Sequence, residues 1–295
     1  MSDNLRIGFV GFGEAGYHLA KGLRAAGISS IAAFDIKITE QLRQHARETE
    51  TRIVDSNREL AVACGLMLSA VTADQALNAA EQNAPSLTRE HLYADLNSVS
   101  PGVKQEIAGV IGKTGARFAE IAMMAPVPPY LQKVPMLAGG DGAEEFVGKL
   151  APFGISAEIV SREVGTAAAT KMFRSIIVKG MEALLTECVL GASRYNADER
   201  VFASLAETFP GMDWKKLADY MVGRVVVHGE RRAREMEEVA ATLREIDIEP
   251  IMAEAIVRRM DWSVEAGLKQ IFRGQAPRNY REVVEAAAKK PVGAD

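Results

Sequence analysis

The segment that decides the fold is Leu5-Arg6-Ile7-Gly8-Phe9-Val10-Gly11-Phe12-Gly13-Glu14-Ala15-Gly16, near the start of the 295-residue chain. An apolar run typical of a buried strand leads directly into a G-x-G-x-x-G turn, and helical periodicity follows. In such a turn Gly11 permits the tight bend, Gly13 lets the backbone approach an anion, and Gly16 lets the helix pack closely on the strand. Because helix N-termini bind phosphates through free N–H groups, the segment predicts a pyrophosphate site.

Asp35 stands at the end of the second predicted strand, 19 residues after Gly16. A carboxylate there can accept hydrogen bonds from the hydroxyl groups of an adenosine ribose and repel a 2′-phosphate. The pattern therefore predicts bound NAD, while the nearby Lys37 keeps NADP open. The alternative is a glycine turn with an incidental surface aspartate, which the strand–turn–helix context disfavours. The predicted cofactor-binding residues are Gly11, Phe12, Gly13, Glu14, Ala15, Gly16, Asp35, Val71, Thr72 and Asn97.

Outward from this segment, short apolar runs alternate with helical patterns through the first half of the chain. The alternation predicts an α/β fold, a Rossmann-type, doubly wound parallel sheet with helices on both faces. Strands are predicted at Leu5–Val10, Ile31–Phe34, Arg52–Val54, Leu66–Val71, Leu92–Leu96 and Arg117–Ala122, with Pro135–Ala138 and Ala157–Val160 extending the sheet. Helices are predicted at Ala15–Ala26, Thr39–Glu48, Asn57–Ala63, Ala73–Asn83, Pro101–Lys113 and Ala143–Leu150.

After about Glu163 the strand signals nearly vanish and helical periodicity continues to about Phe272. This change predicts a dinucleotide-binding domain over residues 1–162 and an all-helical domain over residues 163–295, with a long interdomain helix at Gly165–Ala192. Further helices are predicted at Asp198–Thr208, Trp214–Val222, Val225–Glu245 and Pro250–Gly267.

Polar residues follow two of the predicted strands, at Val71-Thr72 and Asn97-Ser98. In an open parallel sheet the ligand lies beyond the carboxyl ends of the strands, so these residues are expected to reach the cofactor. The alternative is helix capping, by Thr72 for the helix that follows it and by Ser98 or Ser100 for the helix that begins at Pro101. Capping accounts for Ser100, and both readings stay open for Ser98.

Lys171 is the second candidate for chemistry, on a predicted helix rich in apolar residues. One reading of its polar stripe is the solvated face of an amphipathic helix, which we expect for Glu182 and Thr186. For Lys171 the helix follows the dinucleotide domain directly, and a desolvated amine in a cleft has a proton affinity suited to acid–base catalysis. The stripe, projected at about 100° per residue, comprises Lys171, Ser175, Lys179, Glu182 and Thr186.

The bulk properties exclude several classes of protein. The net charge of −4 and a pI near 5.8 do not indicate binding to nucleic acid or to an anionic membrane. Cys64 and Cys188 lie far apart in apolar stretches, which predicts buried thiols in a reducing compartment. Residues 1–10 lack a signal-peptide pattern, and the apolar run Leu60–Ala73 is too short to span a bilayer. We therefore predict a cytoplasmic protein with a small-molecule substrate.

Taken together, these motifs resemble the β-hydroxyacid dehydrogenase family, which includes 3-hydroxyisobutyrate, tartronate semialdehyde and threonate dehydrogenases and, as a longer relative, 6-phosphogluconate dehydrogenase. The glycine motif of residues 8–16 is followed by the Asp95–Pro101 segment, which places Ser98 where the family has a substrate-contacting threonine. The Gly165–Ser175 segment aligns Lys171 with the catalytic lysine, and Arg234-Glu235-Met236 is a loose match to a late Lys-Asp-Leu motif. The resemblance implies a homodimer or homotetramer with the long helix at its interface.

Two departures alter the implied substrate site. Met124 replaces a serine that would hold a substrate carboxylate, and Ser175 replaces an asparagine beside the lysine. A loop with Pro126, Pro128 and Pro129 replaces glycines and is stiffer. The chain therefore resembles a divergent, phosphogluconate-dehydrogenase-like branch, with predicted substrate contacts at Ser98, Met124, Ser175 and His228.

A basic cluster could clamp an anionic substrate group. For Arg231 and Arg234 we expect surface pairs with Glu235 and Glu238 instead, whereas His228 is expected to face the substrate. The cluster comprises Arg224, His228, Arg231, Arg232 and Arg234.

These observations predict hydride transfer between a nicotinamide and the carbinol carbon of a small, anionic hydroxy acid, with Lys171 as general acid and base. Two alternatives remain: reduction of an imine, which an apolar substrate loop would tolerate, and a non-catalytic dinucleotide-binding module.

Overall fold

One eight-stranded sheet organises the first part of the chain in the computed structural model, which describes residues 5–289. The strand order is β3-β2-β1-β4-β5-β6-β7-β8, and all neighbouring pairs run parallel except β6 and β7. The strands are β1 (Arg6–Val10), β2 (Ser30–Phe34), β3 (Arg52–Ile53), β4 (Leu66–Ser69), β5 (Leu92–Asp95), β6 (Arg117–Met123), β7 (Pro135–Gly139) and β8 (Ser156–Ser161). The antiparallel pair arises because no helix crosses over between β6 and β7, so the chain returns directly along the neighbouring edge.

Side chains alternate along each strand and build one core on each face of the sheet. The helices that cover it are α1 (Glu14–Ala25), α2 (Glu40–Glu48), α3 (Asn57–Ala63), α4 (Ala76–Asn83), α5 (Pro101–Gly112) and α6 (Ala143–Leu150). Ile7 and Phe9 belong to one core together with residues of α1, α2 and α6, whereas Val10 belongs to the other with residues of α3, α4 and α5. The predicted doubly wound fold is thus confirmed.

The strand order reverses between β1 and β4. From β1 the chain adds β2 and β3 on one side, and it then returns to place β4 and β5 on the other. The carboxyl ends of β1 and β4 therefore flank the switch point at which open α/β sheets form a ligand crevice. Every predicted cofactor residue follows one of the strands near this edge.

The chain forms two compact units, Met1–Lys171 and Met172–Asp295. We predicted a boundary between residues 162 and 163; the first unit extends to Lys171 and so includes the first turns of the long helix Thr166–Ala192 (α7). Within the described residues, no helix combines the length and apolar character that crossing a bilayer requires. The remaining helices are α7 (Thr166–Ala192), α8 (Asp198–Thr208), α9 (Trp214–Glu245), α10 (Ile251–Glu265), α11 (Leu268–Ile271) and α12 (Tyr280–Ala288).

Two local predictions need correction, and one helix was missed. The helices predicted at Trp214–Val222 and Val225–Glu245 form the single helix α9, because Gly223 stays helical and packs near Pro277. Helix α12 was not predicted, although Asn279 caps it by accepting from the N–H groups of Arg281 and Glu282. Cys64 is buried, and burial raises the pKa of its thiol to about 12, but Cys188 is only half-buried.

Candidate functional site

The glycine turn after β1 has the geometry that its motif requires. Gly11 has a φ of +83°, and a Cβ there would lie 2.7 Å from the carbonyl oxygen of Ala70. A Cβ on Gly16 would lie 3.1 Å from the Gly11 carbonyl oxygen, so the helix packs tightly against the turn. Gly13 differs, because a Cβ there would meet no atom within 4 Å. The turn is therefore tight at its ends and open in the middle, where α1 begins.

Asp35 ties the end of β2 to the glycine turn. Its Oδ2 accepts from the N–H of Phe12 at 2.9 Å, and its Oδ1 accepts from the N–H of Lys37 at 2.9 Å. The ring of Phe12 is buried against Phe9, so this residue offers the site its backbone rather than its side chain. A carboxylate has about four lone-pair directions, so Asp35 can still accept from ribose hydroxyls. Beside it lies a cavity of about 490 Å³, with Gly13, Glu14, His18, Lys37, Thr39 and His45 in its lining.

Asn97 joins the loops that follow β4 and β5. Its Oδ1 accepts from the N–H of Val71 at 2.8 Å, and its Nδ2 donates to Ser69 Oγ at 3.0 Å. Ser100 accepts from the N–H of Val103 and caps α5, as predicted. Thr72 precedes a short 3-10 turn, but its side chain makes no capping bond. Capping therefore does not explain Thr72.

Lys171 and Ser98 come together within the first unit. The Nζ of Lys171 donates to Ser98 Oγ at 2.6 Å, across 73 residues of sequence. Ser98 is exposed, Lys171 is half-buried, and Ser98 makes no capping bond to α5. An amine and a hydroxyl thus meet at the carboxyl end of β5, the edge of the sheet at which the glycine turn also lies.

The sequence analysis missed Glu120, which positions the start of α7. This carboxylate is fully buried; its Oε2 accepts from the N–H of Gly165 at 2.7 Å and its Oε1 from that of Ala167 at 2.6 Å. A negative charge at a helix N-terminus is favourable, and here it satisfies donors of the first turn. Glu120 therefore holds the helix that carries Lys171. The signal available in the sequence was an acidic residue inside an otherwise apolar strand.

Met124 and Ser175 occupy different surroundings. Met124 is half-buried after β6, and its N–H donates to the carbonyl of Pro135 at 2.8 Å, which continues the pairing with β7. Its apolar side chain offers no donor to a carboxylate. Ser175 is half-buried on α7, in the second unit. Their contacts with a substrate remain predictions.

The part of the polar stripe formed by Lys179, Glu182 and Thr186 is buried in the second unit, which overturns the solvated face expected for Glu182 and Thr186. Glu182 and Thr186 are fully buried, whereas Ile177 and Leu184 are 67% and 61% exposed. The reason is that α9 presents complementary charge, which the stripe neutralises. Glu182 pairs with Arg224 at 3.0 Å and with Arg232 at 2.9 Å, and Lys179 pairs with Glu235 at 2.8 Å.

Burial and ion pairing have opposite effects on the pKa values of Glu182 and Lys179. Burial raises the pKa of Glu182, while the guanidinium groups of Arg232 and Arg224 act in the opposite direction. Burial likewise lowers the pKa of Lys179, against the attraction of Glu235. Each charge therefore depends on its partner, because an unpaired ion in this position would be strongly disfavoured.

Arg231 and Arg234 both make surface pairs. Arg231 contacts Glu235, as predicted, whereas Arg234 contacts Glu237 and lies 2.9 Å from Asp261, and its predicted pair with Glu238 stays a prediction. Both arginine side chains are 57% exposed, so the pairs contribute little to stability.

His228 lines a cavity of about 200 Å³ whose walls all come from the second unit. Burial lowers the pKa of His228, and the charges of Arg231, Arg224 and Arg232 lower it further. The imidazole is therefore neutral at neutral pH, able to accept one hydrogen bond and donate another. Besides His228, the cavity is lined by Gly229, Glu230, Arg231, Ser263, Lys269 and Gln270, among others.

We expect His228 to make the second unit more stable at neutral than at acidic pH. Its lowered pKa means that, between the folded and unfolded values, the unfolded chain binds more protons. The stabilisation is therefore complete above the unfolded value and is lost as the pH falls through that window. Urea denaturation followed by the fluorescence of Trp214 and Trp262, at about pH 5 and about pH 7, measures it. His228→Gln should weaken the pH dependence, and an unchanged dependence would contradict the assignment.

The chain matches known families in both units. Residues 6–127 match the NAD binding domain of 6-phosphogluconate dehydrogenase, and residues 192–263 match a domain of unknown function. A conserved hypothetical protein from Sinorhizobium meliloti is 35% identical, with 97% of this chain and 96% of that chain covered and a TM-score of 0.84. A conserved protein of unknown function, described as structurally similar to 3-hydroxyacid dehydrogenases, is 32% identical over 92% of this chain and all of that chain, with a TM-score of 0.78. The chain is a divergent member of the β-hydroxyacid dehydrogenase family.

Within this family, residues 6–127 of the first unit form the NAD-binding domain. Two more distant structures share the fold alone. The 3-hydroxyisobutyrate dehydrogenase of Mycobacterium tuberculosis is 12% identical, with 95% of this chain and 98% of that chain covered and a TM-score of 0.72. An imine reductase variant from Myxococcus stipitatus in complex with NAD+ is 16% identical, with 97% and 99% covered and a TM-score of 0.56.

Proposed function

We propose that this family member is an oxidoreductase that moves a hydride between a nicotinamide dinucleotide and the carbinol carbon of a small, anionic hydroxy acid. The observation that carries the proposal is the 2.6 Å contact between Lys171 Nζ and Ser98 Oγ, which joins Lys171 to the NAD-binding domain of residues 6–127. Both groups had been predicted separately, from segments far apart in the sequence. The contact places the Lys171 amine, for proton transfer, beside the Ser98 hydroxyl, which can orient a substrate.

The residues of the glycine turn fit a dinucleotide. The space in front of Gly13 leaves room for a pyrophosphate, and the N-terminus of α1 offers N–H groups to it. Asp35 lies beside this space with lone pairs available to a ribose, and its charge disfavours a 2′-phosphate. We therefore propose NAD as the preferred cofactor. The positive charge of Lys37 would favour the 2′-phosphate if NADP binds instead. When bound, the nicotinamide supplies the acceptor or donor of the hydride.

Lys171 acts as the acid and base in this proposal. As the neutral amine it takes the proton of the substrate hydroxyl during oxidation, and as the ammonium ion it returns a proton during reduction. Ser98 contacts the same nitrogen, so it can hold the substrate oxygen within reach of Lys171. Asn97 keeps the preceding loop bonded to Val71 and does not itself exchange a proton.

An imine reductase is the second candidate, and Met124 is the observation that favours it. An apolar side chain at this position cannot hold a carboxylate but can accommodate an apolar amine. A panel of small hydroxy acids with NAD and NADP, and matched ketones and imines with NADH and NADPH, separates the candidates. Turnover of hydroxy acids supports the proposal, turnover of imines alone supports the alternative, and cofactor binding without any turnover indicates a binding module.

We expect Gly13→Ala to weaken NADH binding by about tenfold or more, equivalent to ~1.4 kcal/mol. The backbone at Gly13 has φ −76° and ψ −158°, which alanine adopts, and its Cβ would meet no protein atom. The added methyl group should therefore occupy only the space proposed for the pyrophosphate. Fluorescence titration gives the dissociation constant, and thermal denaturation should show an unchanged Tm for the free protein.

Gly109→Ala is the matched control for Gly13→Ala. Gly109 is exposed on α5, and a Cβ there also meets nothing within 4 Å. This variant should bind NADH as the wild type does and gain about 0.5–1 kcal/mol of stability. Equal NADH affinity in both variants would place the pyrophosphate elsewhere.

We further propose a cytoplasmic homodimer or homotetramer. The support is the exposed apolar pair Ile177 and Leu184 on α7, which single-chain folding leaves in water. Sedimentation showing only a monomer at micromolar concentration would contradict this assembly.

A further inference from the structure

Behind Asn97 and Ser98 lies a buried ion pair that the proposed mechanism does not use. Lys104 on α5 and Asp95 at the end of β5 have side chains only 1% and 0% exposed, and Lys104 Nζ lies 2.5 Å from Asp95 Oδ2. The same nitrogen donates to the backbone carbonyl of Asp95 at 2.8 Å. An ion pair so deeply buried costs desolvation, so it contributes little to stability by itself.

The second carboxylate oxygen of Asp95 is connected to the candidate site by hydrogen bonds. Asp95 Oδ1 accepts from Nδ2 of Asn97, whose Oδ1 in turn accepts from the N–H of Val71. The pair thus orients the Asn97 amide, because the carboxylate can only accept and so turns the NH2 group toward itself. The amide oxygen is then left to face Val71. Ser98 is the next residue, and its Oγ contacts Lys171.

We infer that Lys104 is a positioning residue for the pair Ser98 and Lys171, an inference that rests on the proposed function. Through its ion pair with Asp95, Lys104 holds in place the side chain that accepts from Asn97 and so fixes the loop between β5 and α5. Other titratable groups neighbour Asp95 in the sheet, Tyr93 on β5 and Glu120 on β6, and neither is a cation. Among the described ion pairs of Asp95, Lys104 is the cationic partner.

Lys104→Met tests the inference, since methionine keeps an unbranched side chain but removes the charge. The buried carboxylate is then unpaired and must take up a proton or draw in water, and either change alters its bond to Asn97. We expect kcat to fall about 100-fold in the folded variant, as for a misplacement of about 1 Å in a catalytic site. Lys113→Met is the matched control at the C-cap of the same helix, an exposed position, and should not change kcat.

The double variant Asp95→Asn with Lys104→Met separates positioning from folding. It leaves no buried charge unpaired, and an asparagine oxygen can still accept from Asn97. We expect it to recover about tenfold of the activity lost in Lys104→Met, because the two residues act as one unit. If Lys104→Met does not fold, kcat of the double variant alone tests the inference, and we expect it to be about tenfold below that of the wild type. Wild-type kcat in the double variant would overturn the inference.

A second readout does not depend on turnover. Modification of Lys171 by an amine-selective reagent, followed by peptide mass spectrometry, should proceed about fivefold faster in both variants, the factor expected when one hydrogen bond is lost. If the wild type turns over no substrate, the proposed function fails and the modification rate still tests the positioning. Unchanged modification of Lys171, with both variants folded, would overturn the inference.

Discussion

Lys171→Ala is expected to lower kcat for the hydroxy acid by about 10⁴-fold and to leave the dissociation constant of NADH unchanged, the upper range for loss of a general acid or base. We expect this because Lys171 and the cofactor site are built from different segments of the first unit. The amine lies 2.6 Å from Ser98 Oγ, while the glycine turn and Asp35 are built from other segments of the first unit. Removing the amine therefore removes proton transfer without touching the cofactor site. Steady-state kinetics and NADH fluorescence measure the two effects.

A matched change elsewhere shows that the effect of Lys171→Ala is local. Lys113→Ala removes an exposed lysine from the end of α5 and should leave both kcat and NADH binding as in the wild type. Undiminished turnover in Lys171→Ala would exclude Lys171 as the acid and base. Loss of NADH binding together with activity would instead indicate that the amine supports the fold of the first unit.

Glu182→Ala should have the largest effect on stability, a loss of about 3–5 kcal/mol. Glu182 is fully buried and pairs with both Arg224 and Arg232. Its removal leaves Arg232, only 4% exposed, as a buried cation without this partner. Both tryptophans, Trp214 and Trp262, lie in the second unit, so their fluorescence during urea denaturation reports this unit.

Glu187→Ala is the control for Glu182→Ala, on the same helix. Glu187 is 71% exposed and pairs with Arg259, so its removal should cost less than about 1 kcal/mol. Replacing Glu182 and Arg232 together by methionine should cost less than Glu182→Ala alone, since that change removes both the anion and its most buried partner. Equal losses for Glu182→Ala and Glu187→Ala would show that the buried cluster does not stabilise the second unit.

Helices α7 and α12 differ in how strongly the sequence signals them. The long helix was predicted almost to its ends, because many apolar residues repeat at the helical period. Helix α12 is short, so its periodicity is weak, yet Asn279 followed by Glu282 was a usable start signal. Helix α9 was predicted as two helices, but the chain stays helical at Gly223, which packs near Pro277 despite the low helix propensity of glycine.

The sequence by itself determined the features that depend on neighbouring residues: the glycine turn, the parallel strands, the start of α7 and the candidacy of Lys171. Short-range sterics and the period of apolar residues act within a few positions, so they can be inferred from the chain alone. Only the tertiary structure decided that Ser98 meets Lys171, that Glu120 holds the first turn of α7, and that Glu182 lies inside rather than in water. Each of these depends on a partner contributed by a distant segment, because a polar group can be buried only where another element supplies its counter-charge or hydrogen bond.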